Sequence, residues 1–422
     1  MVNKKIIVVI GGGPAGMMAA LSARTNNADV VLVEKNASLG RKLLLTGNGR
    51  CNFTSAVDIA SYEEYFFHGG KFLRDAFKQF SNKDTIQFFK KNGLRSKIEG
   101  NNCIFPVSDS AESVLDVFKK ELKRKNVTVL YNRAIRDLKI NDGTIRGVRL
   151  SNNEALSCCC AIFATGGISY PHTGSNGEGF VIASRLGHDI AALRAGLIPL
   201  EARQDYVRNL EGLTVKNAVL TFRAGNKKII SGKGDFLFTR KGLSGPLVLS
   251  YSSRISQWPS SIKDIQVIID FFPDMTKEEL TQKLVKERSF HSKKSIKNVL
   301  KALLPQRLVK TVAQINGLNP EKTTSHITKA ERKSMINSLK GLQLDIAKTG
   351  PIEKAMITQG GVSLKQVYPQ TMESRIVHGL YFAGEMLDID ADTGGFNLQA
   401  AFSTGYCAGK HAAMCVNEKG AR

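Results

Sequence analysis

An uncharged, β-branched run at residues 6–10 leads directly into Gly11-Gly12-Gly13-Pro14-Ala15-Gly16, and residues 17–23 continue with helical composition. The pattern predicts strand, glycine turn and helix, followed by a second strand at 30–33 that ends on Glu34. Apolar runs at 127–131 and 160–164 predict further strands, and segments 133–140 and 144–150 form a hairpin across Asp142-Gly143. Residues 62–125 read as mostly helical, with Phe66, Phe67, Phe72, Phe77, Phe80, Phe88 and Phe89 as core, and 180–187 read as a helix. Near residue 193 the pattern changes to short alternating strands at 197–200, 219–222, 235–239 and 265–272, with a tight turn at 242–246. Short helices over 276–338 and strand patterns at 342–346 and 354–358 follow. A buried strand at 379–383 and a small-residue helix opening at Asn397 complete the pattern. Three segments result: 1–192, an insert at 193–358 with a helical part near 274–338, and 359–422.

The first fifty residues carry the strongest chemistry. Gly11 allows a tight turn, Gly13 lets backbone approach a pyrophosphate, and Gly16 permits close helix–strand packing. The helix N-terminus presents free N–H groups and partial positive charge to phosphates. Glu34 stands 21 residues after Gly13, where an acid accepts ribose hydroxyls. The spacing points to a dinucleotide site; a glycine-rich structural turn is the competing reading. Next, Gly40-Arg41-Lys42 and Thr46-Gly47-Asn48-Gly49-Arg50-Cys51-Asn52 make a basic, glycine-flanked loop able to wrap an anion. Ala164-Thr165-Gly166-Gly167 turns at a strand's C-terminal end, where doubly wound sheets place ligands. The polar loop at 169–179 is rich in backbone donors and contains His172. The loop with Asp388, Asp390 and Asp392 lacks the glycine and closing glutamate of a calcium loop, so no metal site is expected. The helix N-terminus at Asn397 and Leu398 suits negative charge.

The chain has 422 residues, seven cysteines and a net charge of +23. Residues 193–358 hold 29 basic and 14 acidic groups, net +15, and residues 286–310 alone hold eight cations against Glu287. That excess fits either a solvated face or a polyanionic partner, with nucleic acid ahead of a membrane surface. Cys158, Cys159 and Cys160 open an apolar run and read as buried thiols on a strand, and no Cys/His spacing suggests zinc. The uncharged stretch at 6–23 is interrupted by glycines and a proline, so it is not read as a membrane span, and no signal-peptide h-region precedes it. A cytoplasmic protein is the expectation.

The glycine fingerprint, Gly-Arg-Lys with Thr-Gly-Asn-Gly-Arg-Cys-Asn, Ala-Thr-Gly-Gly, Ser-Tyr-Pro-His-Thr-Gly-Ser, and Ala-Gly-Glu with Thr-Gly-Gly-Phe-Asn-Leu-Gln jointly resemble one family. It is the family of FAD-binding oxidoreductases that groups aminoacetone oxidase, the 3-dehydro-bile acid 4,6-reductase and the bacterial ribosomal RNA dihydrouridine synthase. The resemblance implies an α/β fold: a Rossmann-type, glutathione-reductase-like FAD domain built from both chain ends, interrupted by a β-barrel-like and helical insert. By matching motif, it implies that Gly11, Gly13, Pro14, Ala15 and Gly16 hold the pyrophosphate, with Glu34 and Lys35 at the adenosine ribose. Arg41, Lys42, Thr46, Gly47, Gly49, Arg50, Cys51 and Asn52 would line pyrophosphate and flavin, and Ala134 would meet adenine. Ala164, Thr165 and Gly166 complete the cofactor wall. Gly384 and Glu385 would meet the ribityl chain, and Asn397 and Leu398 the flavin N1/O2 edge. With one nucleotide fingerprint, NADH or NADPH would visit only as a transient reductant. Cys51 is the candidate proton donor, with a packed loop residue as the plainer alternative. Substrates implied are uridine in ribosomal RNA, held through the basic insert, or a small molecule reduced or oxidised at the flavin; a non-catalytic flavin-containing RNA binder is the third alternative.

Overall fold

The computed structural model describes residues 5–258, 264–290, 295–301 and 303–418. Contacts divide the chain into two units, residues 1–196 with 352–422, and residues 197–351. The bounds expected at 193 and 358 differ for a physical reason: Arg194–Gly196 pairs antiparallel with Ile357–Gln359, so both flanking segments stay with the first unit.

The first unit is built on a five-stranded parallel sheet, in the order Leu380–Phe382, Cys160–Phe163, Lys5–Ile10, Ala28–Val33, Thr128–Leu130. Ile7, Val8 and Val9 are fully buried, as continuous apolar strands covered on both faces require. Pro14–Ala23 follows the first strand as a helix with proline at its start and no charged residue. It lies against Phe396–Glu418, the last helix. A Cβ on Gly405 would sit 2.2 Å from the Ala15 carbonyl oxygen, and one on Gly409 2.2 Å from that of Ala19. The small residues of the last described helix thus let its backbone touch that of the first helix.

The hairpin Ile135–Asn141 and Thr144–Leu150 forms as expected, with Ala155–Ser157 as its third strand. The region 62–125 is less helical than its pattern suggests. Helices Arg74–Gln79, Asn82–Lys91 and Ala111–Arg124 are present, but Ser96–Glu99 and Cys103–Pro106 form a hairpin that pairs with Thr54–Ser55. Asn101 and Asn102 both take positive φ at its tip, a turn that asparagine tolerates and a helix does not. Phe53, Phe89, Phe118 and Phe402 pack as one aromatic core.

The second unit is an antiparallel sheet in the order Lys227–Ile230, Thr214–Ala224, Gly234–Thr239, Gly242–Ser244, Leu200–Ala202, Leu342–Thr349, Gln266–Asp270. Thr214–Ala224 also pairs with Gln266–Asp270, which closes the sheet into a barrel and leaves Lys227–Ile230 outside the closure as an edge. Phe222, Phe236, Phe238, Val267 and Leu344 fill the inside. The expected tight turn at 242–246 is instead a short strand followed by the helix Pro246–Ile255. Helices Lys277–Phe290, Ile296–Leu300, Gln306–Ile315 and Lys329–Gly341 complete the unit, and residues 291–294 of the basic run lie outside the described residues.

All seven cysteines are free thiols, and only Cys160 of the 158–160 triplet lies within a strand, with Cys159 half-buried. Among the described residues no helix is long and apolar enough to cross a membrane.

Candidate functional site

The site begins where the first strand stops. Gly11 sits at φ +105° and donates its N–H to the Val33 carbonyl at 2.8 Å. A Cβ there would meet the Ala164 carbonyl oxygen at 2.4 Å, and one on Gly16 would meet that of Gly11 at 1.8 Å. Gly11 and Gly16 therefore close the strand–helix packing. Gly13 differs: a Cβ there would meet nothing within 4 Å. It faces a cavity lined entirely by residues of the first unit. Gly11, Gly13, Pro14 and Ala15 form its floor, where the first N–H groups of the helix have no intrahelical acceptor and no acid occupies the first turn.

At one end of the cavity lies Glu34, a buried carboxylate with several donors around it. Its Oε2 accepts the Gly12 N–H at 2.7 Å; its Oε1 accepts the Asn36 N–H at 2.8 Å and Asn36 Nδ2 at 2.7 Å. Asn36 in turn accepts from Arg41 Nη1 at 2.8 Å and donates to the Thr173 carbonyl at 3.0 Å. Lys35 donates to Asn176 Oδ1 at 2.7 Å and pairs with Glu178. Arg133 and Ala134 line the same end. Asn36 and the 173–177 segment were missed as site residues. The donor-rich loop was visible in sequence, but only the fold carries it across to the second strand.

The facing wall holds a second carboxylate. Glu385 follows Gly384 at the end of Leu380–Phe382, and Lys42 Nζ donates to both its oxygens, at 3.0 and 2.8 Å, and to Ser169 Oγ at 2.6 Å. The Gly167 and Thr358 N–H groups reach the same carboxylate at 3.4 Å. Ala164, Thr165, Gly166, Thr46, Asn397 and Leu398 continue this lining, and Met356 and Ile357 add an apolar edge absent from the sequence expectations.

Gly16, Gly47, Gly49, Arg50, Cys51 and Asn52 do not line the cavity. Arg50 instead pairs with Glu99 and Asp109 and lies 4.3 Å over the Phe105 ring, while Lys97 bridges the same two acids. This network fastens the glycine loop to the Ser96–Pro106 hairpin, and Asn52 Oδ1 accepts the Ile104 N–H at 3.1 Å. Cys51 is fully buried, and burial pushes its thiol up to about 12. His172 lies edge-on to Tyr170, outside the lining. The three aspartates diverge: Asp388 pairs with His68, Asp390 accepts from Gln359, and Asp392 accepts the Thr393 N–H. Among the described residues no group of three or more His, Cys, Asp or Glu could hold a metal ion.

The cavity fits an adenine dinucleotide with a flavin. The glycine floor leaves room where a pyrophosphate needs close backbone, Glu34 is hydrogen-bonded by neighbouring N–H groups and Glu385 is paired with Lys42, and the opposite end reaches the N-terminus of Phe396–Glu418. The family profile described as "HI0933-like protein Rossmann domain" matches residues 5–411. The chain is 31% identical over 412 residues to the 3-dehydro-bile acid delta(4,6)-reductase of Clostridium scindens, covering 96% of this chain and 98% of that protein. It is also 31% identical over 405 residues to the ribosomal RNA dihydrouridine synthase of Escherichia coli, covering 95% and 96%. Among solved structures, the 3-ketosteroid delta1-dehydrogenase of Sterolibacterium denitrificans aligns with a TM-score of 0.54 at 12% identity, over 98% of this chain and 100% of that one, a likeness of fold alone. Fingerprint, cavity and relatives agree, and the chain belongs to the HI0933-like Rossmann family as an FAD-dependent oxidoreductase.

Proposed function

We propose that this enzyme reduces a carbon–carbon double bond, and that its substrate is uridine in ribosomal RNA, converted to dihydrouridine with NADH or NADPH as transient reductant. The observation that carries the reading is the placement of charge: residues 193–358 hold 29 basic against 14 acidic groups, whereas 359–422 hold five against six. Polyphosphate contacts need such a surplus. Dihydrouridine synthase relatives in Escherichia coli and Haemophilus influenzae, at 31% and 28% identity, support it.

FAD, when bound, would supply the chemistry of hydride transfer from the nicotinamide to the substrate. The chain's part is to hold and polarise. The N-terminus of Phe396–Glu418, at Asn397 and Leu398, lines the cavity and would offer partial positive charge to a reduced flavin held there. A base stacked in folded RNA must be turned out to reach a pocket of this kind. Cys51 meets a physical objection as proton donor: a fully buried thiol held near 12 has no path to substrate without movement of its loop. Cys51→Ala is therefore expected to retain turnover. The free thiols support a reducing, cytoplasmic setting.

The deciding measurement is the dihydrouridine content of ribosomal RNA from a strain lacking the gene. Loss of the modification is expected; unchanged content overturns the RNA reading. The second reading, a small-molecule enoyl reductase, rests on the equal identity to the bile-acid enzyme. It predicts nicotinamide-dependent turnover of a conjugated enone without RNA, while an oxidase predicts rapid reoxidation of the reduced flavin by air.

A further inference from the structure

The inserted unit's charge is densest in sequence over its helices, yet the structure singles out a different element. Residues 212–234 contain five cations and no carboxylate. They fold as the hairpin Thr214–Ala224 and Lys227–Ile230, in which Arg223 faces Lys228 and Ala224 faces Lys227 across the strands. Arg223, Lys227 and Lys228 are all exposed, and none has an ion pair among the described residues. Elsewhere in the unit Lys297 pairs with Glu321, Lys322 with Glu331 and Lys340 with Asp270, each at 2.7 Å, and within the 212–234 run Lys233 pairs with Asp274. Those charges are answered locally; among the described residues Arg223, Lys227 and Lys228 have no such acid.

Arg223 is also held in place. Its Nε donates to Gln266 Oε1 at 2.7 Å and its Nη2 to Gln343 Oε1 at 3.1 Å, along a row of outward side chains on neighbouring strands. Asp345 orients those carboxamides by accepting Gln266 Nε2 at 2.7 Å, Gln204 Nε2 at 2.8 Å and Gln343 Nε2 at 3.4 Å. The lone carboxylate of the row is thus turned to amide donors, and two guanidinium nitrogens are held by carboxamide oxygens. A pre-set guanidinium loses little freedom on meeting a phosphate. Lys227–Ile230 adds an outer edge that, among the described residues, pairs with Thr214–Ala224 alone, so its other side is open to further contacts, and Ile230 at its end is 56% exposed.

We propose that this basic hairpin, with Arg223, Lys227 and Lys228 as its contacts, is the surface that grips the sugar–phosphate backbone of the RNA substrate; the proposal rests on the RNA reading above. Backbone contacts of this kind fix register and orientation and leave choice of base to the pocket.

The test is filter binding of end-labelled ribosomal RNA to the FAD-loaded full chain, at salt from about 50 to about 300 mM. The variants are Arg223→Gln/Lys227→Gln/Lys228→Gln and, as comparator, Lys301→Gln/Lys310→Gln, with flavin content and circular dichroism matched to wild type. Losing three phosphate contacts lowers the slope of log K against log salt by about 2–3 and weakens binding on the order of a hundredfold at ~0.15 M salt, while the comparator stays near wild type. If the triple variant keeps the wild-type slope, the hairpin assignment fails and the RNA reading stands. Equal loss per charge in the comparator overturns it likewise, because binding is then spread over the unit. Wild-type protein with no salt-dependent binding removes the RNA reading, and the hairpin with it. Tighter binding to phosphatidylglycerol vesicles than to RNA assigns the surface to a membrane and overturns the proposal.

Discussion

The two units handle charge in opposite ways. In the first, the ligand site is made of backbone: glycines at the end of a parallel strand, the open N–H groups of one helix, and the start of another. Its two carboxylates are quenched where they stand, Glu34 by three N–H donors and Glu385 by Lys42. In the second, a closed antiparallel barrel pairs strand to strand, and Arg223, Lys227 and Lys228 lie exposed on its outer hairpin. Dipoles and hydrogen-bonded acids act over a few ångströms inside the cavity. Exposed cations act over roughly 8–10 Å and are screened by salt. One unit is shaped to hold a cofactor; the other carries the net charge on which the RNA proposal rests.

The sharpest way to break this comparison is at the glycines. Gly11→Val forces a side chain into the Ala164 carbonyl at φ +105° and should cost ~3 kcal/mol or more, seen as a lowered melting temperature together with flavin loss. Gly13→Val places its methyls in space the chain leaves open, so the fold should stay within about 1 kcal/mol while FAD binding is abolished. Equal melting temperatures for the two variants would remove the distinction between packing glycine and ligand glycine.

Lys42→Ala leaves Glu385 uncompensated in a cavity that must accept a pyrophosphate. Both side chains are only about one-fifth exposed. FAD affinity should fall ~10- to 100-fold by equilibrium dialysis, and Lys42→Ala/Glu385→Gln should recover most of it. Without that recovery, Lys42 acts on the cofactor directly rather than through its carboxylate.

Asp390 gives a pH handle. Burial pushes its carboxyl up to about 6, with Gln359 Nε2 donating to it at 2.6 Å. A raised carboxyl favours the folded state fully below its ordinary value near 3.8, and that contribution is lost as pH rises through about 6. Asp390→Asn should therefore raise the melting temperature above pH 7, by an amount equivalent to about 1–3 kcal/mol, and do little at pH 4. A uniform shift at every pH would show that the gain comes from packing instead.

The smallest effect belongs to the insert's surface. Lys297→Gln breaks a pair whose acid is 63% exposed, and should move stability by less than about 0.5 kcal/mol and leave flavin content unchanged.

Much of the cofactor site was legible because its signals are local. A glycine turn between a β-branched strand and an uncharged helix, and an acid at the end of the next strand, are consequences of backbone conformation that single residues encode. Arg50 shows the limit. Its place beside Gly49 suggested cofactor contact, but Glu99 and Asp109, brought near by a hairpin the helical-looking pattern concealed, turn it toward Phe105. Asn36 shows the reverse: nothing around it in sequence marks it, yet it ties Glu34, Arg41 and Thr173 together.

The sequence by itself determined the strand–turn–helix that opens the chain, the single dinucleotide fingerprint, the interruption by a basic insert, and the small-residue helix at its end. Each depends on neighbours a few residues apart. Only the tertiary structure decided which cations are answered by acids and which are left to solvent, which glycines pack and which face the cavity, and where the chain changes unit. Those properties belong to pairs such as Lys42 with Glu385, 343 residues apart, whose meeting depends on strand order and closure, and no local pattern carries that information.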